Sequence, residues 1–218
     1  VVTPRAQVPT GAAVSASRAR ALQRVLTSYP HTVLVEDDHA ADVAGAPSVT
    51  LAGTTDHWIH VRSVSKAWGP DLRLAVVAGD VGTVDRLRGR QRLGPGWVSH
   101  TTQEAVAELW DSPKAQNLVR RAGLEYAERR TGLRDALAER GVAAHARSGL
   151  NVWLPVRDET AAVASLLTAG WAVAPGSRFR LASPPALRIT IASLSVGEIP
   201  PLADALARAA VAGRGRGV

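Results

Sequence analysis

Cysteine is absent from the 218-residue chain, which excludes disulfides, thiol catalysis and zinc–thiolate sites. Aromatic side chains are scarce, with one Phe and two Tyr beside six Trp, so no platform for stacking nucleic-acid bases is evident. No apolar run approaches the ~20 residues needed to cross a bilayer, because Arg, Asp or Gly interrupts each hydrophobic stretch. The opening Val1-Val2-Thr3-Pro4 has neither an initiating Met nor the basic-then-apolar pattern of a secretory signal. The lack of a spanning run, a secretory signal and an initiating Met leads us to expect a cytoplasmic protein that touches no membrane and whose chain begins mid-structure.

What is present is charge of mostly one chemical kind. The formal net charge is +7, and 24 of the 26 basic residues are Arg. Acids are interspersed among them in most helical stretches, and only residues 213–217 are basic without any acid. Residues 213–218 are therefore expected to form a flexible tail. A basic module that binds nucleic acid without a cofactor would rest on net charge alone. With 46% hydrophobic residues, the chain is long enough for one large domain or two small ones.

Residues 1–3 look like a strand remnant. Ser15 or Ser17 can cap a helix whose Ala19, Leu22, Val25, Leu26 and Tyr29 share a face, and Pro30 stops it. Residues 32–35, 58–61 and 72–78 are predominantly apolar runs, which predicts strands buried on both faces, as in a helix-covered parallel sheet. The segment 63–71 suits a sharp reversal. Helices are expected over 84–93, 101–110 and 115–140, with Gly141 as a C-cap. Short strands at 142–146, 151–155, 171–174 and 187–192 alternate with a helix at 161–167 and a final helix from 195 or 198 to 210. This reads as half of a large α/β domain, connecting helices and a small α+β domain.

The informative segment is Ser63-Val64-Ser65-Lys66-Ala67-Trp68-Gly69-Pro70-Asp71-Leu72-Arg73. It follows a buried strand, and ligand sites gather at the carboxyl ends of strands in open α/β sheets. Two hydroxyls, an amine and a guanidinium make an anion cradle, and the amine becomes a nucleophile when its charged form is disfavoured. On residue types alone a solvated loop is the favoured reading. A second cluster, Glu36-Asp37-Asp38-His39, ends the preceding strand run. A carboxylate at one strand end and a lysine at the next suit pyridoxal chemistry, in which an acid keeps a pyridine nitrogen protonated while the lysine forms an imine. One of the three acids is expected to be structural. His31, His57, His60, His100 and His145 show no metal-ligand spacing, no metal is expected, and no dinucleotide-binding glycine fingerprint follows a strand.

Ser-x-Ser-Lys, with Gly-Pro-x-Leu-Arg following, resembles the class I/II aminotransferase signature, and most of all its variant in the MocR group of GntR transcription regulators. Thr3-Pro4, Pro9-Thr10-Gly11, Val35-Glu36-Asp37-Asp38, Gly94-Pro95-Gly96-Trp97-Val98-Ser99-His100 with Gln103, and Ala174-Pro175-Gly176-Ser177-Arg178-Phe179 match that group in order. The resemblance runs from about residue 1 to about residue 210. It implies the fold type I of pyridoxal-phosphate-dependent transferases, the aspartate-aminotransferase-like α/β fold, here a partial large domain plus a small α+β domain. The implied divisions are 1–98 for the C-terminal half of the cofactor-binding large domain, 99–140 for connecting helices and 141–212 for the small domain.

The same resemblance implies pyridoxal 5'-phosphate as cofactor, with Lys66 as its Schiff-base anchor and the proton shuttle of any transamination. Asp37 would pair with the pyridine nitrogen, Ser63, Ser65 and Arg73 would hold the phosphate, and Arg188 would bind a substrate or effector α-carboxylate. Ser99 and His100 would approach the site. There are two departures. His39 stands where these regulators commonly have Tyr, and can reach the cofactor's phenolic oxygen or simply fill space. Val8 stands where dedicated aminotransferases have the Asn that hydrogen-bonds the ring oxygen. The implied function is the effector-sensing and dimerisation module of a transcription regulator. It would form a homodimer, respond to an amino acid or a B6 vitamer, and contact DNA only through an upstream winged-helix domain. The alternative is a free-standing amino-acid aminotransferase.

Overall fold

The computed structural model describes residues 1–211. The expected tail 213–218 and the last residue of the segment 141–212 lie outside the described residues. The chain divides into two compact units, the first Val1–Ala6 with Ala13–Leu124, the second Gln7–Ala12 with Glu125 onward.

In the first unit, helix α1 (Ala16–Leu26) starts where the Ser15 side chain accepts from the Arg18 amide. Strands β1 (Val33–Asp38) and β2 (His57–Ser63) pair in parallel, and β3 (Ala75–Gly79) pairs with β2 antiparallel, giving the order β1-β2-β3. Val2 adds a single parallel bridge to Glu36. Ala19, Leu34 and Leu51 form a core beneath α1 and β1. Helix α2 (Val81–Arg92) is capped by Asp80, which accepts from the Thr83 and Trp58 amides. Hydrogen bonding from Thr83 and then Trp58 holds the Asp80 carboxyl far below the usual carboxylate range. Helix α3 (His100–Asp111) is capped by Ser99, and α4 (Pro113–Glu139) carries the boundary between the units.

The expectation of strands buried on both faces does not hold. Strand β1 alternates buried with less buried positions, and β3 is mostly exposed. Among the described residues its partner in the sheet is β2 alone, so its small Ala and Val side chains are covered on few sides. The expected strand 72–78 also begins later. Pro70–Leu72 forms a single 3-10 turn and Arg73 takes a left-handed conformation (φ 45°), and pairing starts only at Ala75.

The second unit holds β4 (Asn151–Pro155), α5 (Glu159–Thr168), β5 (Ala174–Pro175), β6 (Ala186–Thr190) and α6 (Ile199–Val211). Its antiparallel sheet runs β4-β6-β5. Leu133, Leu137, Leu154, Leu166, Leu187 and Leu206 belong to one continuous core. Two expected strands shrink for one reason. After Gly141 (φ 72°) the Val142 amide bonds back to Leu137 O at 3.0 Å, and after Gly170 (φ 85°) the Trp171 amide bonds back to Leu166 O at 2.8 Å. These residues complete helix ends. Of 142–146 a lone bridge from His145 to Trp153 remains, and of 171–174 only Ala174 is in a strand.

Gly176 packs where a side chain cannot fit. A Cβ there would lie 2.4 Å from Ala186 O and 2.7 Å from Trp153 Cη2. Gly176→Ala is expected to destabilise the protein by roughly 1–3 kcal/mol through overpacking. Chemical denaturation would measure this, and an unchanged midpoint would contradict it.

Candidate cofactor site

The turn carrying Lys66 is built by its neighbours. Val64 is buried with Leu74 and Val106, and its carbonyl accepts from the Ala67 and Trp68 amides at 3.3 and 2.9 Å. The Trp68 indole donates to Asp42 at 3.0 Å, and Asp42 also pairs with Arg62, whose guanidinium lies 5.6 Å from the Trp110 ring centroid. A polar and aromatic brace thus fixes the segment from outside.

Around this turn Ser63, Ser65, Lys66 and Arg73, with His39 just after the end of β1, line one open concavity of about 350 Å³, and Pro70, Leu74 and Ala75 complete it. The wall contains two hydroxyls, two cations and an imidazole, and no carboxylate. The Ser63 hydroxyl also accepts from the Ser65 amide at 3.2 Å, which shapes the bend. Lys66 has no ion-pair partner among the described residues. Such a cationic cup fits a phosphorylated aldehyde: the guanidinium and hydroxyls suit the anion, and the amine stands ready for the carbonyl.

The acidic cluster separates into three different environments. Glu36 is 1% exposed and accepts from the Thr50 hydroxyl and the Leu51 amide, both at 2.6 Å, and lies 3.1 Å from His60 Nδ1. Asp38 is 2% exposed and receives a bidentate Arg5 at 2.9 and 2.7 Å. Asp37, on the alternate face of β1, keeps a 47% exposed side chain and lies 3.5 Å from His39 Nδ1. Two of the three acids are therefore structural, where the sequence suggested one. His60, which looked isolated in the sequence, sits between both, 4.0 Å from Asp38 Oδ2. Asp37 is not itself in the wall of the concavity but reaches it through His39.

Arg188 belongs to the second unit, on β6 opposite Trp153 of β4. Its guanidinium carbon stands 4.6 Å from the Phe179 ring centroid, and its Nε is buried without a partner. Sequence reasoning missed Glu159, which is 8% exposed and accepts from Arg180 Nε, Ser177 N and Ala186 N at 2.7, 2.9 and 3.0 Å. Burial pushes its carboxyl up, and the Ala186 amide, Arg180 and the Ser177 amide together outweigh that and hold it below the ordinary range. Nothing in its local sequence marks it, since Asp158 beside it is the actual N-cap of α5. Ser99, expected near the site, caps α3 by accepting from Thr102 N at 3.3 Å. Among the described residues no group of His, Cys, Asp or Glu is arranged to hold a metal ion, and no helix is long and apolar enough to cross a membrane.

The family "Aminotransferase class I and II" matches residues 1–206. The chain belongs to that family, whose cofactor is pyridoxal 5'-phosphate, and its fold is the type I fold of pyridoxal-phosphate-dependent transferases. Among individual proteins, it is 43% identical over 206 residues to the vitamin B6 salvage pathway transcriptional repressor PtsJ of Salmonella typhimurium, covering 93% of this chain and 48% of that protein. The chain thus spans about half the length of that relative. In structure it resembles the α-aminoadipate aminotransferase LysN of Thermus thermophilus (TM-score 0.80, 21% identity, 95% of this chain and 57% of LysN). A Thermus thermophilus aspartate aminotransferase variant matches with TM-score 0.77 at 23% identity, over 94% of this chain and 55% of its own.

Proposed function

We propose that this chain is the cofactor-binding sensor module of a transcription regulator, one that forms a homodimer and reports on a B6 vitamer or an amino acid. The observation that carries the reading is the 43% identity to a repressor of vitamin B6 salvage, well above the identities to enzymes of the same fold. DNA recognition is assigned to a winged-helix domain in the part of such regulators that these residues do not span, and the protein would act in the cytoplasm. Residues 1–98 would be the cofactor-binding part, 99–140 the connecting helices and 141–212 the small domain.

In this reading Lys66 anchors pyridoxal 5'-phosphate, while Ser63, Ser65 and Arg73 hold its phosphate in the cationic concavity. Bound there, the cofactor supplies an electron-accepting ring. Asp37 would hold the proton on the pyridine nitrogen, and it lies 3.5 Å from His39, which lines the concavity. Arg188 receives the carboxylate of the effector. Val8 provides no hydrogen-bond donor where the enzymes have Asn, which favours sensing over turnover.

A free-standing amino-acid aminotransferase is the second reading, favoured by the intact lysine and arginine set. The two separate in one experiment on the full-length protein. A regulator binds DNA from upstream of its own gene or its neighbours, with an affinity that changes when pyridoxal 5'-phosphate is added. Absence of DNA binding together with multiple-turnover transamination would establish the enzyme instead.

A further inference from the structure

We infer that Phe179 is the positioning residue for Arg188: its ring, rather than any hydrogen bond, sets the plane of the guanidinium that meets a carboxylate. The inference rests on the proposed role of Arg188 and deepens it.

Among the described residues no acid pairs with Arg188, and its Nε is buried with no acceptor. A guanidinium is normally oriented through its five donors. Here the guanidinium carbon lies over the ring of Phe179, 4.6 Å from its centroid, a distance at which cation–π attraction operates. An arginine oriented by a ring keeps its terminal donors for a ligand. An arginine oriented by a carboxylate would already be neutralised.

The turn that carries the ring is itself held firmly. Phe179 N donates to Gly176 O at 2.8 Å, closing a single turn. Gly176 lets that turn sit against Ala186 O and the Trp153 ring, closer than any Cβ allows. Glu159 then ties the turn at both sides, accepting from Ser177 N before Phe179 and from Arg180 Nε after it, and its bond from Ala186 N fastens both to β6. Arg188 is two residues along the same strand from Ala186. The loop that carries the ring and the strand that carries the arginine are therefore clamped through one buried carboxyl group, so their separation is fixed before any ligand arrives.

The test uses the full-length, cofactor-loaded protein. L-alanine serves as the carboxylate-bearing probe and ethylamine as its carboxylate-free counterpart, each titrated through the change in cofactor absorption. Phe179→Leu is expected to weaken L-alanine roughly 3- to 30-fold, the range of a cation–π contact, and to leave ethylamine unchanged. Phe179→Tyr, which keeps the ring, is expected to bind both like the parent. Phe179→Met replaces the Leu variant if that one does not fold, as judged by circular dichroism and a thermal melt. Equal weakening of both probes, an unchanged L-alanine affinity, or a Tyr variant as impaired as the Leu variant overturns the inference. Arg188→Lys distinguishes the two levels. If it leaves L-alanine unaffected, the carboxylate role of Arg188 falls and the inference with it; if it weakens L-alanine while Phe179→Leu does not, only the inference falls.

Discussion

Lys66→Ala in the full-length protein is expected to lose the absorption band of lysine-bound cofactor completely while keeping its fold. The loss of the band follows from chemistry: the side chain removed is the amine that would bond to the cofactor carbonyl. The retention of fold follows from how the turn is made. Its hydrogen bonds run between backbone groups of Val64, Ala67 and Trp68 and from the Trp68 indole to Asp42, and the Lys66 side chain takes part in none of them. A substitution that removes no packing and no partner should change stability by no more than about 0.5 kcal/mol. Lys66→Arg is the informative companion, because it keeps a cation in the concavity without an amine able to form the bond. Arg73, Ser63 and Ser65 still line the concavity in both variants, so residual non-covalent binding of the phosphate is expected. An unchanged spectrum with full cofactor binding in Lys66→Ala would refute the assignment of Lys66, and with it the proposed function.

The parts of the molecule that were readable in sequence are those set by short-range chemistry. The runs ending at Val35 and Val61 are rich in β-branched and apolar residues, and both became the parallel strands β1 and β2. Gly69-Pro70 marked the reversal that makes β3 antiparallel. The lysine turn was readable because its residue types are unusual together. What stayed hidden depends on distant partners. Glu36 and Asp38 are consumed by Thr50, Leu51, His60 and Arg5, the last 33 residues away, and no local pattern tells a paired carboxyl from a free one. Val142 and Trp171 looked like strand residues because they are apolar and follow a glycine. Their amides were already committed to the preceding helix ends. Glu159 and Phe179 gain their meaning only from a loop folded back on a strand.

The division of labour in the acidic cluster leads to the second large effect. Glu36→Ala is expected to destabilise the protein by about 1–3 kcal/mol, the range for leaving a buried donor without its acceptor. The Leu51 amide loses its acceptor inside the core formed by Ala19, Leu34 and Leu51, and a buried donor left unpaired is costly. The Thr50 hydroxyl and His60 lose the same acceptor. Asp37→Ala, one residue further along the strand, should behave in the opposite way. Its side chain is half exposed and its ion-pair contact is His39 at 3.5 Å, so stability should change by no more than about 0.5 kcal/mol. The spectrum of the bound cofactor should nevertheless shift, because the carboxylate proposed to hold the pyridine nitrogen protonated would be gone. Urea denaturation followed by tryptophan fluorescence and absorption of the loaded protein would measure the two effects side by side. If Asp37→Ala unfolds the protein while Glu36→Ala alters only the spectrum, the faces of β1 have been assigned the wrong way round, and Asp37 loses its place beside the cofactor.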